Sequence, residues 1–91
     1  MGASAKGRRD ADTLFAEATR LAVAGDHATA LYRLRALIKI SPRHWQAWQL
    51  VGNCLWATGK KEKAMQAYRY SLELHPDNPD LKVWLASPAA Q

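Results

Sequence analysis

The sequence has little cysteine and no long apolar segment, and both shortages exclude whole classes of protein. Cys54 is the only cysteine among the 91 residues, so no internal disulfide can form. It lies within a helical apolar pattern, where a small buried side chain is the usual role. A membrane-crossing helix needs about 18 or more apolar residues, and a secreted protein needs a leader sequence. Neither is present, which predicts a soluble, cytoplasmic protein without a membrane partner.

Patterns that carry catalytic or metal chemistry are also missing. His27, His44 and His75 each stand alone near a predicted turn, without Cys, Asp or Glu at the spacing of a four-coordinate site. The sequence has no paired carboxylates, no Gly-rich phosphate loop and no nucleophile next to a base. It therefore predicts a protein that is not an enzyme and that needs no metal or cofactor.

What the sequence does contain is an internal repeat of 34 residues. Several residues of the second half follow an identical residue by that distance, among them Gly59, Ala64, Arg69 and Pro76, which follow Gly25, Ala30, Arg35 and Pro42. Nothing alternates with a period of two, so no strand is expected. A repeat of this length indicates a stack of similar helical units.

The second unit resembles the tetratricopeptide repeat, a 34-residue helix–turn–helix. Five of its residues match the family pattern as they stand: Trp48, Gly52, Ala64, Tyr68 and Pro76. Val51 replaces the usual Leu, Leu55 the usual Tyr, and Ser71 the usual Ala. The first unit matches less well, because Glu17 occupies a position where a large apolar residue is expected. Residues 77–91 are expected to begin a third unit and to stop after its first helix.

The resemblance implies an all-α fold of antiparallel helix pairs, stacked as a short right-handed superhelix of about five helices. Repeats are expected over 10–42 and 43–76, with residues 1–9 as a flexible basic tail. Start and stop signals predict a first helix from near Asp10 to Ala24, a second from His27 or Ala28 to Ile40, and a third over 45–58. A fourth, after the turn that begins at Lys60, ends at Leu74, and a fifth covers 81–86. Gly25 and Gly59 should end helices with positive φ, and Gly52 should lie close to Ala64 and Tyr68 of the partner helix.

The resemblance also implies a concave surface formed by the first helix of each repeat. Carried over one at a time, the groove positions are Asp12, Phe15, Thr19, Ala22, Gln46, Gln49, Asn53, Trp56, Asp80 and Val83. Amide side chains can bond a peptide backbone, and a Trp ring can receive an apolar side chain. Asn53 matches a position where peptide-binding members of the family hold an Asn. The alternative, that Gln46 and Gln49 are only solvated and Trp56 packs on the next repeat, remains open.

Two further expectations concern how the chain binds partners. The pattern by which some family members grip a C-terminal carboxylate is missing, since Phe15 and Thr19 stand where Lys and Asn belong. Because about three repeats are needed to bury a continuous core, the terminal helices should keep apolar flanks. Val23, Trp84 and Leu85 are the residues expected on that face. It would serve self-association, a stable partner or a further helix.

The net charge of +5 raises the question of nucleic acid. Lys6, Arg8 and Arg9 supply three of these charges, so residues 10–91 carry only +2. Basic clusters on the second helix and at the turn near residue 60 are typical of a solvated outer face. The sequence therefore predicts a non-catalytic protein–protein interaction module, as adaptor, scaffold or small chaperone. An RNA-binding helical repeat and a purely structural oligomerisation unit are the alternatives.

Overall fold

The computed structural model describes the backbone of residues 2–90, together with all side chains in that range except those of residues 2–9 and 89. This part of the chain forms five α-helices and a short 3₁₀ helix and contains no strand. They are α1 Gly2–Val23, α2 His27–Ile40, α3 Trp45–Ala57, α4 Lys61–Leu74, α5 Pro79–Ala86 and the 3₁₀ helix Pro88–Ala90. The predicted all-α architecture of helix pairs is confirmed. None of the helices is long and apolar enough to cross a membrane over the residues described.

Helix α1 begins eight residues earlier than the sequence predicted. The predicted start at Asp10 is wrong, because Asp10 lies within a helix that runs from Gly2. The intervening residues are rich in Ala, Lys and Arg, which are good helix formers, and they contain no Pro. The segment expected to be a flexible tail therefore has helical backbone from Gly2 onward, and Met1 lies outside the described residues.

The two turns between paired helices depend on glycine. Gly25 has φ +88° and Gly59 has φ +84°, as predicted, a conformation that costs a residue with a side chain about 1 kcal/mol or more. Each glycine N–H bonds back to a carbonyl three residues earlier, at 3.0 Å. Asp26 then caps α2 by accepting a hydrogen bond from the Thr29 N–H at 3.2 Å. The chain thus reverses direction at the same point in both repeats.

The core of the first repeat extends into the second. Ala18 of α1, Leu34 and Leu37 of α2, and Ala47 and Cys54 of α3 are fully buried in one cluster. Burying side chains of this kind contributes roughly 25 cal/mol per Å² of apolar surface, which is the main force holding the two repeats together. The first repeat cannot therefore be separated from α3 without exposing its core.

Polar residues that depart from the family pattern have partners. Glu17, which stands where a large apolar residue was expected, pairs with Arg33 of α2, with 3.1 Å between Oε2 and Nε. Both side chains are more than a third exposed, so this pair adds well under 1 kcal/mol. Ser71, which replaces an Ala, is buried and donates a hydrogen bond from Oγ to the Trp45 carbonyl at 2.8 Å.

Two of the histidines also have structural roles. His44 caps α3 by accepting the Ala47 N–H at Nδ1, over 3.1 Å. The ring of His75 stacks on the ring of Trp45, with centroids 4.2 Å apart. Both residues lie at helix ends, which accounts for their position near turns in the sequence.

Helix α5 starts two residues before the predicted position. Asn78 caps it by accepting the Leu81 N–H at Oδ1, over 3.3 Å, and Pro79 is the first helical residue. Leu81 is buried with Ala64 and Tyr68 in a second cluster, which attaches α5 to α4. This attachment positions α5 beside α3 and creates the site described next.

Candidate functional site

An open cleft of about 370 Å³ lies between α3 and α5, and we call it the α3–α5 cleft. Its lining includes four of the predicted groove positions, namely Gln49, Asn53, Trp56 and Asp80. The other lining residues, which the sequence did not single out as groove positions, are Tyr68, Leu81 and Trp84. Three separate helices thus contribute to one concave surface.

Asn53 is held in the cleft by Tyr68. The Tyr68 hydroxyl donates a hydrogen bond to Asn53 Oδ1 at 2.6 Å. Burial, with a smaller effect from the Cys54 thiolate charge, raises the pKa of Tyr68 to about 12, so the hydroxyl keeps its proton at neutral pH. The Asn53 carbonyl oxygen is therefore occupied, while the amide nitrogen has no partner among the described residues. Since the side chain is exposed, both amide N–H groups are available to a ligand.

Gln49, one turn earlier on α3, is held in the same way. Asn78 donates from Nδ2 to Gln49 Oε1 at 3.2 Å, which occupies the carbonyl oxygen. The Gln49 amide nitrogen, like that of Asn53, is left without a partner in the described part of the chain. Gln49 is therefore not simply solvated, whereas Gln46 is exposed.

Aromatic rings form the far wall of the cleft. Trp84 contacts Trp56 edge to face, with ring centroids 4.8 Å apart, and contacts Tyr68 at 5.0 Å. Trp56 thus packs on the next repeat, the alternative that the sequence left open, and it lines the cleft as well. Its ring also lies 5.2 Å from Lys61 Nζ, a cation–π distance.

The face predicted for self-association is only partly exposed. Val23 is 85% exposed, whereas Trp84 and Leu85 are half-buried against the second cluster. The expectation that Trp84 and Leu85 form a free outer flank therefore needs correction, because α5 turns them toward α3 and α4. Whether any of the three serves self-association stays a prediction.

A smaller cleft of about 240 Å³ continues the concave surface toward α1. Asn53 lines both clefts, and the residues added here are Thr19, Ala22, Val23, His27, Leu50 and Cys54. Thr19 donates its hydroxyl hydrogen to the Phe15 carbonyl at 2.8 Å. His27 Nδ1 is buried without a hydrogen-bond partner, so the smaller cleft contains an unsatisfied polar atom.

Four predicted groove residues lie elsewhere, and the first of them, Asp12, is exposed on α1. Phe15 packs against the first core cluster, with its ring centroid 5.1 Å from that of His44. Gln46 is exposed on α3, and Val83 is 70% exposed on α5. None of these four residues lines either cleft. Tyr68 and Trp84 were missed because both were assigned to other surfaces, although Trp84 follows the groove position Asp80 by four residues, about one helical turn.

The single cysteine is placed for packing rather than reactivity. Cys54 is fully buried, and burial raises the pKa of its thiol. A thiol with a raised pKa in an apolar environment is a poor nucleophile at neutral pH. Within the residues described, no three His, Cys, Asp or Glu side chains come together as metal ligands.

The raised pKa of Tyr68 predicts how stability depends on alkaline pH. An unfolded tyrosine has a pKa near 10.0. The contribution of neutral Tyr68 to the free energy of unfolding is therefore fully present below pH 10 and is lost as pH rises toward about 12. The full loss is on the order of 2 kcal/mol. Urea unfolding across this range should show a steeper alkaline decline in the wild type than in Tyr68→Phe, which has no ionisable hydroxyl. Parallel declines in the two proteins would contradict the assignment.

Comparison with known proteins agrees with the geometry. The sequence model of a family described as tetratricopeptide repeat matches residues 15–79. The chain is also 31% identical over 67 residues to Small glutamine-rich tetratricopeptide repeat-containing protein 2 of Mycosarcoma maydis. That match covers 74% of this chain and 19% of the relative, so the chain spans about a fifth of the relative's length. The chain belongs to the tetratricopeptide repeat family.

Proposed function

We propose that this protein binds an extended segment of a partner protein in the α3–α5 cleft, as an adaptor, scaffold or small chaperone without catalytic activity. Tetratricopeptide repeats are generally protein–protein interaction modules, and proteins of this family are typically not enzymes. The proposal assigns that general role to one surface of this chain.

The observation that carries the proposal is the hydrogen bonding of the two amide side chains on α3, Gln49 and Asn53. The carbonyl oxygens of Gln49 and Asn53 accept hydrogen bonds from Asn78 and Tyr68, at 3.2 Å and 2.6 Å. Their NH₂ groups, one helical turn apart, remain as donors. An extended peptide presents unpaired backbone carbonyls at regular intervals, and each such hydrogen bond contributes about 0.5–1.5 kcal/mol. Because internal hydrogen bonds already hold both amides, little side-chain entropy is lost on binding.

The remaining lining indicates the kind of segment that fits. Trp56, Leu81 and Trp84 offer apolar surface to a ligand side chain. Asp80 is the charged residue among those that line the cleft, and it is acidic. A neutral or basic segment with at least one apolar side chain therefore fits better than an acidic one. This agrees with the missing carboxylate-gripping pattern.

A single-atom change at Asn53 tests the proposal. Asn53→Asp keeps Oδ1 as the acceptor for Tyr68, removes the NH₂ donors and adds one negative charge. The wild type and the variant should be used to capture partners from lysate of the source organism, with and without nuclease treatment. Affinity for a peptide from the captured partner should then be measured by calorimetry. Loss of the hydrogen bonds and repulsion from peptide carbonyls should weaken binding about tenfold or more.

Gln46→Glu is the matched control, because it makes the same amide-to-carboxylate change on an exposed part of α3 outside the cleft. It should bind like the wild type. Equal capture by wild type and Asn53→Asp would contradict the proposal. Capture that disappears with nuclease would favour RNA binding, and recovery of only the protein itself would favour an oligomerisation unit.

A further inference from the structure

A second groove lies on the opposite face of α3 and takes no part in the proposed function. Its volume is about 440 Å³, within the usual range for ligand sites, and we call it the α2–α4 groove. The lining residues come from α2, α3 and the start of α4: Leu31, Arg35, Ile38, Lys39, Trp48, Val51, Leu55, Lys60 and Lys63. The α3 residues in this lining are about half a helical turn away from Gln49, Asn53 and Trp56.

The floor of the α2–α4 groove is apolar and partly open to solvent. Its five apolar side chains, Leu31, Ile38, Trp48, Val51 and Leu55, are all half-buried. Trp48 is fixed in place, because its Nε1 donates to the Pro42 carbonyl at 3.0 Å and its ring lies 4.7 Å from that of Tyr70. A floor with a fixed ring needs little reorganisation to receive an apolar side chain.

The rim of the groove is entirely basic. Arg35 and Lys39, one turn apart on α2, are exposed on one side, and Lys60 and Lys63 are exposed on the other. No Asp or Glu is among the lining residues, and none of these four cations has an ion-pair partner in the described structure. Four uncompensated charges around an apolar floor give a local positive potential that the mild net charge of the folded repeats does not suggest.

We propose that the α2–α4 groove is a second docking surface, which binds a partner segment carrying aliphatic side chains flanked by Asp or Glu. The apolar floor would bury the aliphatic side chains, and the basic rim would pair with the carboxylates. RNA fits this surface less well, because bases stack on aromatic rings and most of this floor is aliphatic. Among the residues described, Asp80 is the one charged residue that lines the α3–α5 cleft, so the linings on the two faces of α3 differ in the sign of their charge.

The proposal is tested with a random peptide library displayed on phage, because the library assumes no sequence. The library is selected against the wild type, against Lys39→Glu with Lys63→Glu, and against Arg69→Glu with Lys82→Glu. Arg69 and Lys82 are exposed and lie outside the groove lining. Each double variant replaces two basic residues with two Glu residues, so the two variants have the same net charge. Circular dichroism establishes that all three proteins are folded.

The wild type and the control should enrich a class of peptides with Asp or Glu beside Leu, Ile or Val, and the groove variant should lose that class. A synthetic peptide from this class should bind the groove variant at least about tenfold more weakly in fluorescence anisotropy. Lys39→Gln with Lys63→Gln should give an intermediate loss. Affinity for the wild type should decrease as salt increases.

Three results would overturn the proposal. The first is enrichment of no acidic–aliphatic peptide class by the wild type. The second is equal binding of that class to the wild type and to the groove variant. The third is that the wild type binds a poly(U) oligonucleotide more tightly than the peptide, and that the groove variant loses this RNA binding while the control keeps it. That result would make the surface a nucleic-acid site. Because these variants leave Gln49 and Asn53 unchanged, failure here is distinguishable from failure at the α3–α5 cleft.

Discussion

Gly52→Ala is expected to lower the free energy of unfolding by about 2 kcal/mol, although alanine is the better helix former by about 1 kcal/mol. A Cβ at position 52 would lie 2.5 Å from Tyr68 Cε1 and 2.6 Å from Cδ1, well inside van der Waals contact. The Tyr68 ring is only 5% exposed and is held by Asn53 and Trp84, so it cannot move at low cost. Overpacking of this kind costs typically 1–3 kcal/mol. Urea unfolding at neutral pH measures the change.

A double-mutant cycle assigns the effect to the contact between the two residues. In a Tyr68→Val background the three ring atoms nearest position 52 are gone. Gly52→Ala should then become neutral or stabilising, by up to the alanine propensity of about 1 kcal/mol. If Gly52→Ala were as stable as the wild type in the original background, the close approach of α4 to α3 would be wrong.

Trp84→Ala is expected to release α5 from the rest of the fold. Replacing a packed Trp with Ala typically costs about 3–5 kcal/mol, and Trp84 contacts both Trp56 and Tyr68. Helix α5 has 8 residues, and a helix this short is not stable alone in water. Hydrogen exchange followed by mass spectrometry should show loss of protection over α5, with α1 to α3 largely unchanged. Binding at the α3–α5 cleft should fall with it.

Val83→Ala is the matched control for Trp84→Ala. Val83 is the neighbouring residue on α5, but it is 70% exposed and makes little contact with the core. Its replacement should change the free energy of opening of α5, as measured by hydrogen exchange, by less than about 0.5 kcal/mol. Equal exchange in Trp84→Ala and Val83→Ala would mean that the aromatic contacts do not hold α5.

The features that the sequence predicted correctly are those with a strong local cause. Gly25 and Gly59 mark positions where the backbone needs positive φ, so the ends of α1 and α3 could be located within one residue. The cost of a glycine within a helix indicated a close approach of the partner helix at Gly52, and the family resemblance indicated that Tyr68 makes it. Three of the cleft residues, Gln49, Asn53 and Trp56, share one face of α3, and helical periodicity alone puts them together.

The features that the sequence missed depend on contacts between helices or on weak local signals. No residue between Gly2 and Asp10 forbids a helix, and the N-cap preference of Asp10 competed with helix propensity that favoured continuing. Periodicity shows which face a residue occupies but not what covers that face. Trp84 was therefore placed on an open flank, and the apolar floor between the exposed basic residues of α2 and α4 was not predicted.

The edge-to-face arrangement of Trp56 and Trp84 has an optical consequence. Two indole rings 4.8 Å apart and inclined at 79° couple their electronic transitions, and a coupled pair in a fixed chiral arrangement produces a circular dichroism couplet. The same two rings line the α3–α5 cleft, so a bound segment that displaces either ring would change that signal. Both chromophores line the proposed binding surface, so their signal offers a label-free test of ligand occupancy there.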